Sequence, residues 1–274
     1  MRKDVRGQLV GMLLGDGYVN TTNGKRELVV AHGLDQRDYC EHKAGLVRAF
    51  TGGKFRVREY RNGPGGRYRC VKFVASHPYF ATLKSWMYYE GKFVIARRVL
   101  DMLTPEGIAI WYMDDGHAHA NVNARGWVSS CSTSLNFMKS ESEANVVKDY
   151  FAEEHQIEWR VRCLKNRPPE QAFYLECNTA ESRKFADIVS PYIIPSMRYK
   201  LAHVADLDSH ECRAPTGNCC ACGATIYDNR HTGLCHACYS RRYYHRVRKH
   251  VGEEIVRPAP NKEGAEVVDK EPPR

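Results

Sequence analysis

One short pattern occurs twice in this chain. "LVGMLLGDG" (Leu9–Gly17) and "IAIWYMDDG" (Ile108–Gly116) are apolar runs that end in an acid and a glycine. An acid is out of place there. A helix carries partial negative charge at its C-terminus, so a carboxylate in the last turn is disfavoured by about 0.3–1 kcal/mol. Acid-glycine alone is an ordinary helix end, because glycine closes a helix without strain. Two copies constrain the chain to two related halves. The apolar faces need partners, and the small residues Gly11, Gly15 and Ala109 permit a close helix-helix approach. The expectation is that the two runs pack on each other and bring Asp16 and Asp115 together.

A similar succession follows each copy. In the first half a strand pattern at "RELVVAHG" precedes a helical stretch from Asp35 to Phe50. Two strands, "KFRVREY" and "RYRCVKFVAS", flank the turn "RNGPGG", and a helix is expected at "HPYFATLKSWMYY". In the second half "GWVSSCSTS" reads as a strand and Glu141–Glu154 as a helix. "EWRVRCLKN" and "AFYLECN" form a hairpin around "RPPEQ", and a helix from Ala180 closes the half. Each half reads α-β-β-α-β-β-α, which predicts an α+β fold of two pseudo-twofold-related units with antiparallel sheets. The predicted domains are residues 1–100 and 101–208, a cysteine-rich module at 212–250, and a tail at 251–274. The tail is rich in charge and proline and is expected to be disordered.

The hairpin strands carry many cations. Arg56, Arg58, Arg61, Arg67, Arg69 and Lys72 crowd the first hairpin, and Arg160, Arg162 and Lys165 the second. Such strands can form a solvated sheet face or a ribbon that enters a DNA major groove. Lys and Arg outnumber Asp and Glu by 41 to 32, a formal net charge of +9. That excess favours a polyanionic partner. No stretch is long and apolar enough for a membrane span or a secretory leader. The expected location is intracellular, cytoplasmic or in an organelle or nucleoid, and not secreted.

Two carboxylates that face each other repel, so one protonates or both share a cation. Oxygen-only ligands suit Mg²⁺, which binds through one or two carboxylates and keeps its waters. In this combination the residues resemble the LAGLIDADG homing endonucleases. The nine-residue motif maps onto Leu9–Gly17 and Ile108–Gly116. "LTPEGIAIWYMDDG" and "PYIIPSMRYKL" look like the single-chain, two-repeat branch. The resemblance implies a monomeric, site-specific double-strand DNA endonuclease. Such an enzyme hydrolyses phosphodiesters at a long asymmetric site and leaves short 3′ overhangs. Asp16 and Asp115 would be the Mg²⁺ ligands. Lys92 and Lys200 match that branch's active-site lysines, and the sheet arginines would contact bases. Leu14 departs from the motif at a position that is not the metal ligand, and Asp114 is given no catalytic role.

Eleven cysteines are an odd count, and six of them lie between Cys212 and Cys238. Cys219, Cys222, Cys235 and Cys238 form two C-x-x-C pairs at the spacing of a structural Cys₄ zinc site, similar to a treble-clef finger. Cys220 is the alternative to Cys219. Beyond it, Arg241, Arg242 and Arg246 stand among tyrosines and suit phosphate contacts, though a protein contact is the alternative. Two further readings stay open for the whole chain: an RNA-binding maturase acting on intron RNA, and a catalytically inactive DNA-binding regulator. An intein is disfavoured because no splicing segment flanks the repeats.

Overall fold

The computed structural model describes residues 3–63, 67–122, 128–205, 217–218 and 225–226. The cysteines Cys219, Cys222, Cys235 and Cys238, the arginines Arg241, Arg242 and Arg246, and the tail lie outside these residues. The chain divides into two compact units, Met1–Cys212 and Arg213–Arg274.

The first unit opens on α1 (Lys3–Leu14), followed by β1 (Gly17–Asn20), β2 (Glu27–Gly33), α2 (Arg37–Thr51), β3 (Arg58–Asn62), β4 (Tyr68–Ser76) and α3 (Pro78–Met87). A small hairpin of β5 (Tyr88–Tyr89) and β6 (Lys92–Phe93) and a short α4 (Arg97–Leu100) come next. The order then repeats: α5 (Pro105–Asp115), β7 (Gly116–Val122), β8 (Val128–Lys139), α6 (Glu141–His155), β9 (Arg160–Cys163), β10 (Phe173–Cys177) and α7 (Thr179–Val189), ending in α8 (Ala202–Ala205).

Local chemistry fixes these boundaries. Thr104 accepts the Gly107 amide and Pro105 opens α5 at a position where its missing N–H is not needed. Ser140 and Glu143 form a reciprocal capping box on α6. Asn178 caps α7 by accepting the Glu181 amide.

Each half builds a four-stranded antiparallel sheet in the same order, β1-β2-β4-β3 and β7-β8-β10-β9. Gly17 pairs with Val30 in the first and Gly116 with Leu135 in the second. Alternation turns Val19, Leu28, Val30, Val71, Phe73 and Ala75 into the core, and likewise Ala118, Cys131, Leu135, Phe137, Leu175 and Cys177. Residues Gly7–Leu14 of α1 and Gly107–Met113 of α5 are buried without a break. These helices are apolar on every side and therefore lie inside the unit instead of on its surface.

Three expected boundaries shift. The strand expected from Lys54 begins only at Arg58, and the one expected from Glu158 at Arg160. The helix expected through Tyr89 stops at Met87. Tyr88 and Tyr89 instead pair with Phe93 and Lys92 across a turn at Glu90 and Gly91, both at positive φ. Among the described residues no helix is long and apolar enough to cross a membrane.

Candidate active site

Helices α1 and α5 meet backbone to backbone. A Cβ on Gly11 would lie 2.1 Å from the carbonyl oxygen of Gly107, and one on Gly15 would lie 2.1 Å from Asp114 Oδ2. Gly107, not Ala109, supplies the second helix's side of this approach. The two acid-bearing helix ends are thereby set side by side, and the Asp16 amide donates to Asp114 Oδ2 at 3.1 Å.

Asp114 is the buried hub of the site. Its carboxylate and the Lys43 side chain are both without exposed surface. Lys43 Nζ, from the middle of α2, donates to both carboxylate oxygens, at 2.6 and 2.7 Å. The same ammonium lies 3.2 Å from His32 Nε2. An ammonium can only donate, so Nε2 must accept and the ring proton sits on Nδ1. That Nδ1 faces Asp16 Oδ2 at 3.3 Å. A continuous polar chain thus runs Asp114–Lys43–His32–Asp16.

The two motif acids live in different fields. Burial raises the Asp16 carboxyl, but the His32 hydrogen bond, helped by the charges of Lys43 and Lys200, outweighs it and holds the group below its ordinary value. Asp115 accepts from Trp111 Nε1 at 3.1 Å. Burial, with the negative charges of Asp114 and Asp16, pushes its carboxyl up to about 7. The Asp16 side chain is about half exposed, at 46%. Among the described residues no lysine or arginine forms an ion pair with either acid.

Lys200 donates to the backbone carbonyl of Asp114 at 2.9 Å, a cation placed on the C-terminus of α5 where the helix dipole favours it. Tyr112 holds it there by donating to the Lys200 carbonyl at 2.8 Å. Burial lowers the Lys200 ammonium against the raising effect of Asp114, Asp115 and Asp16. Lys92 is not gathered with the acids. It is exposed on the β5–β6 hairpin, and Lys43 supplies the first half's cation instead.

The sequence reading missed Lys43 and His32. Their signal was a polar residue at a core-facing place. Lys43 shares the buried face of α2 with Tyr39, Cys40, Ala44 and Val47, and His32 ends the inward row of β2.

Asp16, His32 and Asp114 each offer a ligand atom, all within 4.8 Å of one another, and form a candidate acidic metal site. The Lys43 ammonium already engages Asp114 and His32. Asp115 lies outside this group and bears on Asp16 through its charge.

The sheet cations split between faces. Arg58 pairs with Lys72, and both point away from the core on the open face. Arg61 pairs with Arg69 on the opposite side, the side of Val71, where Arg69 and Arg37 bind Glu59 at 3.0 and 2.5 Å. The cations of the first hairpin thus form two rows, one on each face. Arg56 and Arg67 are exposed outside the strands. In the second sheet Arg160 and Arg162 face outward, Arg162 tied to Glu176 at 2.8 Å, and Lys165 is exposed beyond β9. The same open face carries Tyr174 and Glu176 opposite these arginines, and His117, His119, Asn121, Ser130, Ser132, Ser134 and Asn136 beyond them.

The fold is α+β, with carboxylates at two joined helix ends and two antiparallel sheets that each keep one polar face open. The family follows from direct comparison: the LAGLIDADG DNA endonuclease family model matches residues 6–185, and this chain belongs to that family. Protein RecA of Mycolicibacterium chitae is 30% identical over 205 residues, covering 70% of this chain and 45% of that protein. The chain thus spans less than half the length of that relative. The probable intron-encoded endonuclease 1 of Wickerhamomyces canadensis is 25% identical over 201 residues, 70% of this chain and 81% of that one. The structure of the homing endonuclease I-WcaI bound to its DNA recognition sequence is similar in fold, with a TM-score of 0.60 at 21% identity. The match covers 73% of this chain and 86% of that one.

Proposed function

We propose that this chain is a monomeric, site-specific, divalent-metal-dependent DNA endonuclease. Its two halves, related by a pseudo-twofold axis between α1 and α5, read the two sides of an asymmetric site and leave short 3′ overhangs. The observation that carries this reading is the crowding of carboxylates at the α1–α5 junction. Burial first, and then the negative charges of Asp114 and Asp16, raise Asp115, and a bound cation relieves the part that is repulsion. The donors are carboxylate oxygens, which fits Mg²⁺. Asp16 and Asp115 would hold it. Once bound, the ion supplies charge stabilisation at a scissile phosphate and a more acidic water. Lys200 adds positive charge beside the acids and braces the end of α5. The open sheet faces present Arg58, Lys72, Arg160 and Arg162 to the duplex.

The proposed C-terminal module binds a structural Zn²⁺ through Cys219, Cys222, Cys235 and Cys238. Its support is their spacing and a short antiparallel pairing, Gly217–Asn218 with Thr225–Ile226, that brackets the first cysteine pair. Arg241, Arg242 and Arg246 would extend the footprint along the phosphates.

The test is incubation with a randomised DNA-site library and Mg²⁺, repeated with Asp16→Asn and Asp115→Asn. Wild type should cut a specific sequence, and each variant should bind that sequence without cutting it. Specific cutting that persists in either variant overturns the site. Tight binding of one RNA with no DNA cut overturns the endonuclease reading.

A further inference from the structure

The two halves share element order and sheet order, and each motif glycine pairs with an inward residue of the next strand, so their sites can be compared outward from that pair, although the second sheet bulges between Leu135 and Lys139. His32 stands two residues beyond Val30, the partner of Gly17; two residues beyond Leu135, the partner of Gly116, the second sheet has Phe137. Lys43 is the seventh residue of the 15-residue α2, and the seventh residue of the 15-residue α6 is the fully buried Val147. Asp114 precedes the second acid where Gly15 precedes the first. Each member of the Asp114–Lys43–His32 chain therefore has an apolar or side-chain-free counterpart in the other half.

A buried ion pair is a poor source of stability, because desolvation of both charges offsets their attraction. The second half packs with Val147 and Phe137 at the same places, so the fold itself does not require the charges. What the charged chain does that its apolar counterpart cannot is fix a hydrogen-bond direction. Lys43 forces His32 to accept at Nε2, and the proton left on Nδ1 is aimed at Asp16. Asp115 has no such support and relies on Trp111 of its own helix.

We infer that Lys43 and His32 are positioning residues that orient the Asp16 carboxylate alone, so that the two DNA strands are cut by inequivalent acids. This rests on the endonuclease reading above. The structural statement, that His32 aims a metal-binding carboxylate, can be tested without DNA.

Two conservative variants separate the two ends of the imidazole. In His32→Asn the amide reaches the place of Nδ1 and can still donate to Asp16. In His32→Gln it reaches the place of Nε2 and can accept from Lys43 but not donate to Asp16. Mn²⁺ binding to the DNA-free protein is measured by electron paramagnetic resonance. His32→Asn should bind within about threefold of wild type, and His32→Gln about 10–100-fold more weakly, the usual effect of losing a partner behind a metal ligand. On a selected site, with each strand labelled separately under single-turnover conditions, His32→Gln should slow one strand by a similar factor. The other strand and the affinity for DNA should stay near wild type. If either variant melts below the assay temperature, both are compared with wild type at a lower temperature where all three are folded, and the same Asn–Gln difference must appear there.

Equal Mn²⁺ affinity in the Asn and Gln variants, or equal slowing of both strands, overturns the inference. A wild type that cuts no DNA overturns the endonuclease reading instead, and the Mn²⁺ comparison then decides the positioning role alone.

Discussion

Lys43 and Asp114 lie 71 positions apart in the chain and meet in a salt bridge with no exposed surface on either side chain. The pair joins the second helix of the first half to the acid-bearing helix of the second. Removal of one partner leaves the other charge buried and alone, which is far worse than losing both. Lys43→Met is expected to lower unfolding stability by about 3–5 kcal/mol. The double variant Lys43→Met/Asp114→Asn should recover most of that. Urea unfolding of the three proteins gives the comparison, and an equal loss in single and double variants would contradict it.

The helix contact makes a second prediction. With the Gly107 carbonyl 2.1 Å from any Cβ on Gly11, the backbones must separate to admit a side chain. Gly11→Val should destabilise by at least the ~1–3 kcal/mol typical of overpacked cores. The melting temperature reads this. Gly45, on the exposed side of α2, has nothing within 4 Å of its added Cβ, so Gly45→Ala is the control expected to leave stability unchanged or raise it.

Asp115 sets a pH dependence with an unusual sign. Its folded-state carboxyl is pushed up to about 7 from the ordinary 3.8, so the folded protein binds a proton that the unfolded chain has already lost. Stability from this group is present below the unfolded value and disappears as pH rises through the folded one. In metal-free buffer, Asp115→Asn should gain on wild type as pH rises from about 4 to about 7. Thermal melts at pH 5 and pH 8 with a chelator check this, and a constant difference between the two proteins would refute it.

The two rows of sheet cations should behave differently toward DNA. Arg58 and Lys72 share the open face, so Arg58→Ala and Lys72→Ala should each reduce the salt slope of binding to a selected site by about one. Arg69 points to the other side and is held by Glu59, so Arg69→Ala should leave the slope near its original value. Binding titrations at several salt concentrations distinguish the rows.

Much of this architecture was legible in the chain. The repeated acid-glycine ends located α1 and α5, and strand patterns located three of the four strands of each sheet, leaving β1 and β7 unplaced. Glycine at positions 11 and 15 marked the close approach, because only a residue without Cβ lets two helix backbones touch. Lys43 and His32 escaped for a definite reason. Each is one polar residue at an inward position, and its meaning depends on a partner from another element that no local period reveals. Lys92 lies in an element that the sequence did not show. It sits at a plausible distance from Asp16 along the chain, but the β5–β6 hairpin, hidden in what reads as a helix end, carries it to the surface. Which of the two faces stays open also needed register. A one-residue slip in pairing moves every side chain of a strand to the other face.

The bare contact between α1 and α5 has a consequence for how this molecule can change over generations. At Gly11 and Gly107 backbone meets backbone, so no side chain is available at that point to be trimmed or enlarged in compensation. A change that widens the seam displaces both acids together, and neither half can correct for it alone. The outer strands are free to drift toward new sequences of contact, while the seam is inherited whole or lost.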